Sequence, residues 1–81
     1  MKLNELEQKL LSNNIPKDLY SLRGGYPNEA FCINKESQIW EVYYSERGIK
    51  SNLKTFNSEE DACNYFYNWL ISSLKDMGIL N

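Results

Sequence analysis

The sequence predicts a two-layer α+β domain in the order α-β-β-β-α, with a three- to four-stranded antiparallel meander packed against two helices. Three observations lead there. Side chains alternate from Gln38 to Phe56 (QIWEVYYSERGIKSNLKTF) as a β-hairpin requires, leucines recur at helical spacing between Leu3 and Leu11, and a wide apolar stripe runs from Ala62 to Met77. The whole chain, residues 1–81, reads as one domain. A domain of this size buries only about 60% of its unfolded surface, so its aromatic residues, 14% of the chain, must supply much of the core.

Leu3, Leu6, Leu10 and the adjoining Leu11 repeat every three or four residues, with Glu5, Glu7, Gln8 and Lys9 between them. They mark an amphipathic helix of about ten residues, ended by Ser12-Asn13-Asn14 and barred from continuing by Pro16. A helix this short is marginal alone, so its leucines must dock, with the sheet as the obvious partner. Leu19-Tyr20-Ser21-Leu22 reads as a short edge strand. Arg23-Gly24-Gly25-Tyr26-Pro27-Asn28 breaks it, because paired glycines and a proline mark a turn or loop. The glycine pair lacks the further glycines and the following helix of a phosphate-binding loop.

A strand over 29–35 puts Phe31 and Ile33 on one face, Ala30 and Cys32 on the other. Lys35-Glu36-Ser37 is short enough for a hairpin into the next strand, 38–46. There Trp40, Val42 and Tyr44 share one face, and Ile39, Glu41 and Tyr43 share the other. The turn falls at Glu46-Arg47-Gly48, since Gly48 takes a positive φ without strain. The return arm, Ile49 to Phe56, brings back Leu53 and Phe56.

Ser58 is a good N-cap for the last helix, and Glu59, Glu60 and Asp61 complement its positive end. Asp61 takes the capping-box position usually held by Glu or Gln. Ala62, Cys63, Phe66, Trp69, Leu70, Ser73, Leu74 and Met77 fall in one stripe, so the helix runs to about Asp76 and stops at Gly78. Tyr65 and Tyr67 flank the stripe, half exposed. With helices on one side, the other sheet face is expected to be open, carrying Glu41 and Tyr43 together with Ile39, Ala30 and Cys32. A partly apolar, aromatic-bearing open face suggests contact with something.

Composition narrows the function. A net charge of −2 and a pI near 5.0 disfavour sequence-independent nucleic-acid binding, which needs a clustered basic surface. Double-stranded RNA-binding domains share the α-β-β-β-α order, but three acids open the second helix here, where phosphate contact would require lysines. The first residues read as a charged amphipathic segment rather than a secretory signal, and no apolar run approaches the ~20 residues of a membrane span. The expectation is therefore a cytoplasmic protein with neither nucleic acid nor membrane as partner.

Cys32 and Cys63 are read as buried, reduced thiols, since a disulfide would need their Cα atoms within ~7 Å. With no histidine and two cysteines, neither a zinc site nor any other cofactor is expected. Glu29, Glu41 and Glu46 are the candidate paired carboxylates for catalysis. Any small acidic protein holds such pairs, however, and the chain is read as a binding protein, not an enzyme.

Three segments carry a resemblance. They are Gly24-Gly25-Tyr26-Pro27-Asn28-Glu29-Ala30-Phe31-Cys32-Ile33, Trp40-Glu41-Val42-Tyr43-Tyr44-Ser45-Glu46-Arg47-Gly48, and Phe56-x-Ser58-Glu59-Glu60-Asp61-Ala62-Cys63. Together they resemble small bacterial immunity proteins of polymorphic or contact-dependent toxin systems, near the family called immunity protein 59. The resemblance covers roughly residues 19–71. The Tyr-Pro-Asn-Glu and Trp-Glu-Val-Tyr-Tyr-Ser-Glu-Arg-Gly segments are distinctive together, whereas the helix start is generic.

The resemblance implies a partner, a cognate toxin C-terminal domain bound in the cytoplasm with its active site covered or distorted. Such toxins are often nucleases, whose basic grooves suit an acidic inhibitor. On that reading the contact surface combines Glu29, Glu41, Tyr43, Glu46 and Arg47, with Tyr20 and Tyr26 as anchors, because Tyr and Arg often dominate interface energy. Competing roles are turn shaping for Glu46 and Arg47, burial for Tyr43 and loop packing for Tyr26. Trp40, Phe66 and Trp69 are assigned to the core. Two rivals stand beside this reading: a small regulatory or adaptor domain with no toxin partner, and a homo-oligomer joined through strand edges in place of a free monomer.

Overall fold

A computed structural model describes residues 1–80, so that of the expected single domain only Asn81 lies outside the described residues. Helix α1 (Leu3–Ser12) leads through a short 3-10 turn (Lys17–Leu19) to β1 (Tyr20–Ser21). Strands β2 (Ala30–Glu36), β3 (Ile39–Glu46) and β4 (Ile49–Phe56) and helix α2 (Glu59–Asp76) follow. The strands lie in the order β1-β2-β3-β4. The two helices pack against one face of the sheet, giving the predicted two-layer α+β domain.

The sheet is mixed. β2, β3 and β4 form the expected antiparallel meander. The expected edge strand is also present, but β1 adds in parallel, with Tyr20 opposite Phe31 and Ser21 opposite Cys32. Arg47 (φ 51°) and Gly48 (φ 76°) both adopt left-handed backbone in the β3–β4 turn. A two-residue turn of that kind matches the twist of the strands it joins. Between Val42 and Tyr44 the β3–β4 register slips, so that Asn52 and Leu53 together oppose Tyr43. Asn52 adopts φ 55° to make this bulge. The extra residue breaks the alternation, and Leu53, expected to return with Phe56, stands exposed.

Phe31, Ile33 and Val42 from the sheet meet Leu6, Leu10, Cys63, Phe66, Leu70 and Leu74 from the helices in one core. Phe31 presents its ring edge-on to Tyr44 (5.0 Å) and Trp69 (4.7 Å). Phe66 is fully buried, while Trp40 and Trp69, also expected inside, are half-buried and pack around the core. α1 lies beside α2 and runs in the same direction. The Leu3 N–H donates to the Glu59 carboxylate (2.7 Å) near their starts, and the Asn13 amide donates to the Tyr67 hydroxyl (3.1 Å) further along.

α2 is closed at both ends. The Asp61 N–H donates to Ser58 Oγ at 3.1 Å. At the other end Gly78 adopts φ 78°, and the N–H groups of Gly78 and Ile79 donate back to the Lys75 and Leu74 carbonyls, a glycine-terminated helix end. Met77 ends the predicted stripe but lies past the last helical turn and is exposed. Ser58→Ala removes one of the few partners available to the free N–H groups of this helix start. It is expected to lower stability by about 1 kcal/mol. Urea unfolding measures this, and an unchanged midpoint would show that the cap contributes nothing.

Candidate functional site

Two loops converge at one end of the sheet. The β3–β4 turn supplies Glu46, Arg47 and Ile49, and the β1–β2 connection supplies Tyr26 and Glu29. Register brings them together: Ala30 lies opposite Ser45, which places Glu29 next to Glu46. Burial, reinforced by these two carboxylates, pushes the Tyr44 phenol above its ordinary pKa. Neither Glu29 nor Glu46 makes an ion pair among the described residues. Ile49 is 62% exposed and Tyr26 is 61% exposed. Glu46, Arg47, Ile49 and Ser51 line a shallow groove of about 360 Å³. Four of the residues chosen from the sequence, Tyr26, Glu29, Glu46 and Arg47, thus share one solvent-facing end of the molecule. Arg47 combines two roles, since its backbone shapes the turn while its side chain is exposed.

The other three are placed differently. Tyr43 is fully buried and Glu41 is 8% exposed, so the expected open face does not exist where they stand. The reason is topological. Parallel neighbours cannot be joined by a tight turn in the plane of the sheet, so the connection must cross a face. The helices occupy one face, and residues 24–28 take the other. The Tyr43 hydroxyl donates to the Gly25 carbonyl at 2.7 Å. Burial pushes this phenol's pKa up. Ala30, Cys32 and Ser45 on the same face are buried as well, and only Ile39, at the far end, is exposed as expected.

Tyr20 is half-buried on the helix side of the sheet, away from Tyr26. It lies in a groove with Glu7, Leu11, Lys17, Ser21 and Arg23. The groove continues between α1 and the edge of β1 as a cleft of about 460 Å³ lined by Leu3, Asn4, Glu7, Leu22, Arg23 and Glu59. Burial and the Glu7 carboxylate raise the pKa of the Tyr20 phenol.

Lys50 was not singled out from the sequence. Its ammonium contacts Glu41 Oε1 at 2.7 Å and lies over the rings of Tyr43 (4.7 Å) and Tyr26 (5.6 Å). The hydrogen bond to Glu41 holds its pKa above the ordinary lysine value. A signal for it was present, because a two-residue turn at Arg47-Gly48 puts Lys50 opposite Ser45, on the face of Glu41 and Tyr43.

Cys32 and Cys63 are both buried and unpaired, on opposite faces of the sheet. Burial pushes each thiol up to about 11, so both stay protonated at neutral pH. Among the described residues, no three His, Cys, Asp or Glu side chains are grouped so as to hold a metal ion. Among the same residues, no helix is long and apolar enough to cross a membrane. What the loop end offers is an exposed mixture of carboxylate, guanidinium, phenol and aliphatic groups, a surface suited to contact with a macromolecule. No family model, curated protein or solved structure matches this chain.

Proposed function

We propose that this protein is a cytoplasmic immunity protein that neutralises a cognate bacterial toxin domain, a nuclease in the first instance, by protein–protein contact and without catalysis. The observation that carries the reading is the convergence of Tyr26, Glu29, Glu46 and Arg47 on one exposed end of the sheet. These residues lie in the segments that resemble immunity proteins, and two of them are carboxylates without an ion-pair partner among the described residues. Unpaired acids beside exposed Tyr26 and Ile49 suit a basic groove with an apolar rim, where charge steers the encounter and the buried ring and aliphatic group slow dissociation. Tyr43 and Glu41 support this surface from beneath.

The test is co-expression with the toxin domain encoded beside this protein in its genome. Growth is expected to be rescued by the wild-type protein. It is expected to be lost with the double charge reversal Glu29→Lys, Glu46→Lys, which weakens binding about a hundredfold or more without touching the core. Toxicity that persists while both wild-type proteins are made and folded refutes the immunity reading. Full rescue by the double variant moves the contact to another surface.

A further inference from the structure

The loop across the far face is anchored at its start by hydrogen bonds and by the close fit of Gly24 against Asn34. The Gly24 N–H donates to the Ile33 carbonyl at 3.1 Å, and the Ser21 hydroxyl donates to the Gly24 carbonyl at 2.8 Å. Its middle is held by side chains of the sheet. The Gly25 carbonyl accepts the Tyr43 hydroxyl, and the Tyr26 ring faces the Lys50 ammonium. That one cation also binds the Glu41 carboxylate and covers the Tyr43 ring. It therefore ties two side chains rooted in β3 to a ring carried by the loop. Cation–ring attraction strengthens as water is excluded, and here the Lys50 side chain is 26% exposed.

Closing the loop has an energetic cost. Ser45 Oγ is buried beneath it with no hydrogen-bond partner among the described residues. A hydroxyl in that state favours any rearrangement that returns it to water. The closed position must be held by contacts elsewhere, and those of Lys50 and Tyr43 span the gap between loop and sheet.

We propose that Lys50 is a latch, a positioning residue whose ammonium clamps residues 24–28 onto the sheet, seals the face of Ala30, Cys32, Tyr43 and Ser45, and sets where Tyr26 and Glu29 stand. The presentation of those two residues to a toxin rests on the immunity reading, whereas the latch itself needs no partner. Its release frees the loop locally while the helices stay on the opposite face. Cys32 then becomes accessible, and Cys63, on the buried face of α2, does not.

The two thiols make the test self-controlled. Wild type, K50M and K50R are treated with N-ethylmaleimide under native conditions, and labelling of each cysteine is followed by mass spectrometry after digestion. K50M is expected to label at Cys32 about tenfold faster than wild type, with Cys63 unchanged. K50R keeps the cation and is expected to stay within about twofold of wild type at Cys32. Unchanged Cys32 labelling in K50M overturns the proposal. Equal acceleration at both thiols overturns it too, because that reports opening of the whole domain. So does K50R labelling as fast as K50M. Should K50M not fold, Y26A carries the test: it removes the exposed ring by which Lys50 reaches the loop and leaves the sheet intact, and it must label faster at Cys32 or the latch is refuted. Failure to neutralise a toxin leaves these rates untouched, so the two readings fail separately.

Discussion

Phe66→Ala is expected to remove most of the protein's folding stability. Phe66 is among the largest fully buried side chains and sits where α2 crosses the sheet, in the cluster with Leu6, Leu10, Phe31, Ile33 and Val42. Truncating a buried phenylalanine costs about 3–5 kcal/mol, from lost transfer energy and from the cavity left behind. A domain of 81 residues holds on the order of 5 kcal/mol in all. The remainder, about 0–2 kcal/mol, leaves the variant at the edge of unfolding. A urea unfolding midpoint lowered by more than half would report this. A variant that keeps the wild-type midpoint would place the centre of the core elsewhere.

Gly24→Ala is expected to destabilise the protein by about 2–4 kcal/mol, through two separable effects. The first is conformational: Gly24 adopts φ +69°, a region that costs a residue with a Cβ about 1–2 kcal/mol. The second is space. A Cβ built there would stand 2.6 Å from Asn34 Cγ and 2.8 Å from Asn34 Cβ, and the loop cannot retreat without losing the Gly24–Ile33 hydrogen bond. Gly48→Ala isolates the first effect, since Gly48 has φ +76° and nothing within 4 Å of the added atom. It should cost about 1 kcal/mol. Urea titration of the two variants side by side gives the difference. Equal losses would mean that residue 24 is not pressed against β2, and the account of the sealed face would fail with it.

The loop that Gly24 anchors is also where sequence reasoning met its limit. Alternation along 38–46 correctly put Glu41 and Tyr43 on the face away from the helices. It could not tell that the face would be covered. The cover follows from the direction in which Tyr20 and Ser21 pair, and two residues carry no pattern that distinguishes parallel from antiparallel addition. Once the pairing is parallel, the connection must pass over a face, and Tyr43 changes from an exposed candidate contact into an anchor for Gly25. The outward turn of Leu53 has a similar origin. The bulge at Asn52 is a property of two strands together, and a single strand's alternation gives no sign of it.

Much else was written in the local chemistry. The leucine spacing of α1, the Ser58 cap, the Gly78 stop, the wide stripe of α2 and the Arg47-Gly48 turn depend on residues only a few positions apart, and backbone geometry converts such spacings directly into helices, ends and reversals. The faces of β2 and β3 were legible for the same reason, since a period of two needs no distant partner. What surrounds each face is a question of how separate segments meet in space. Only the tertiary structure decided that Glu29 and Glu46 would stand together, that Tyr20 would fall on the other side of the sheet from Tyr26, and that Lys50 would sit between two rings and a carboxylate, because those outcomes are set by long-range pairing and by where a loop has room to cross.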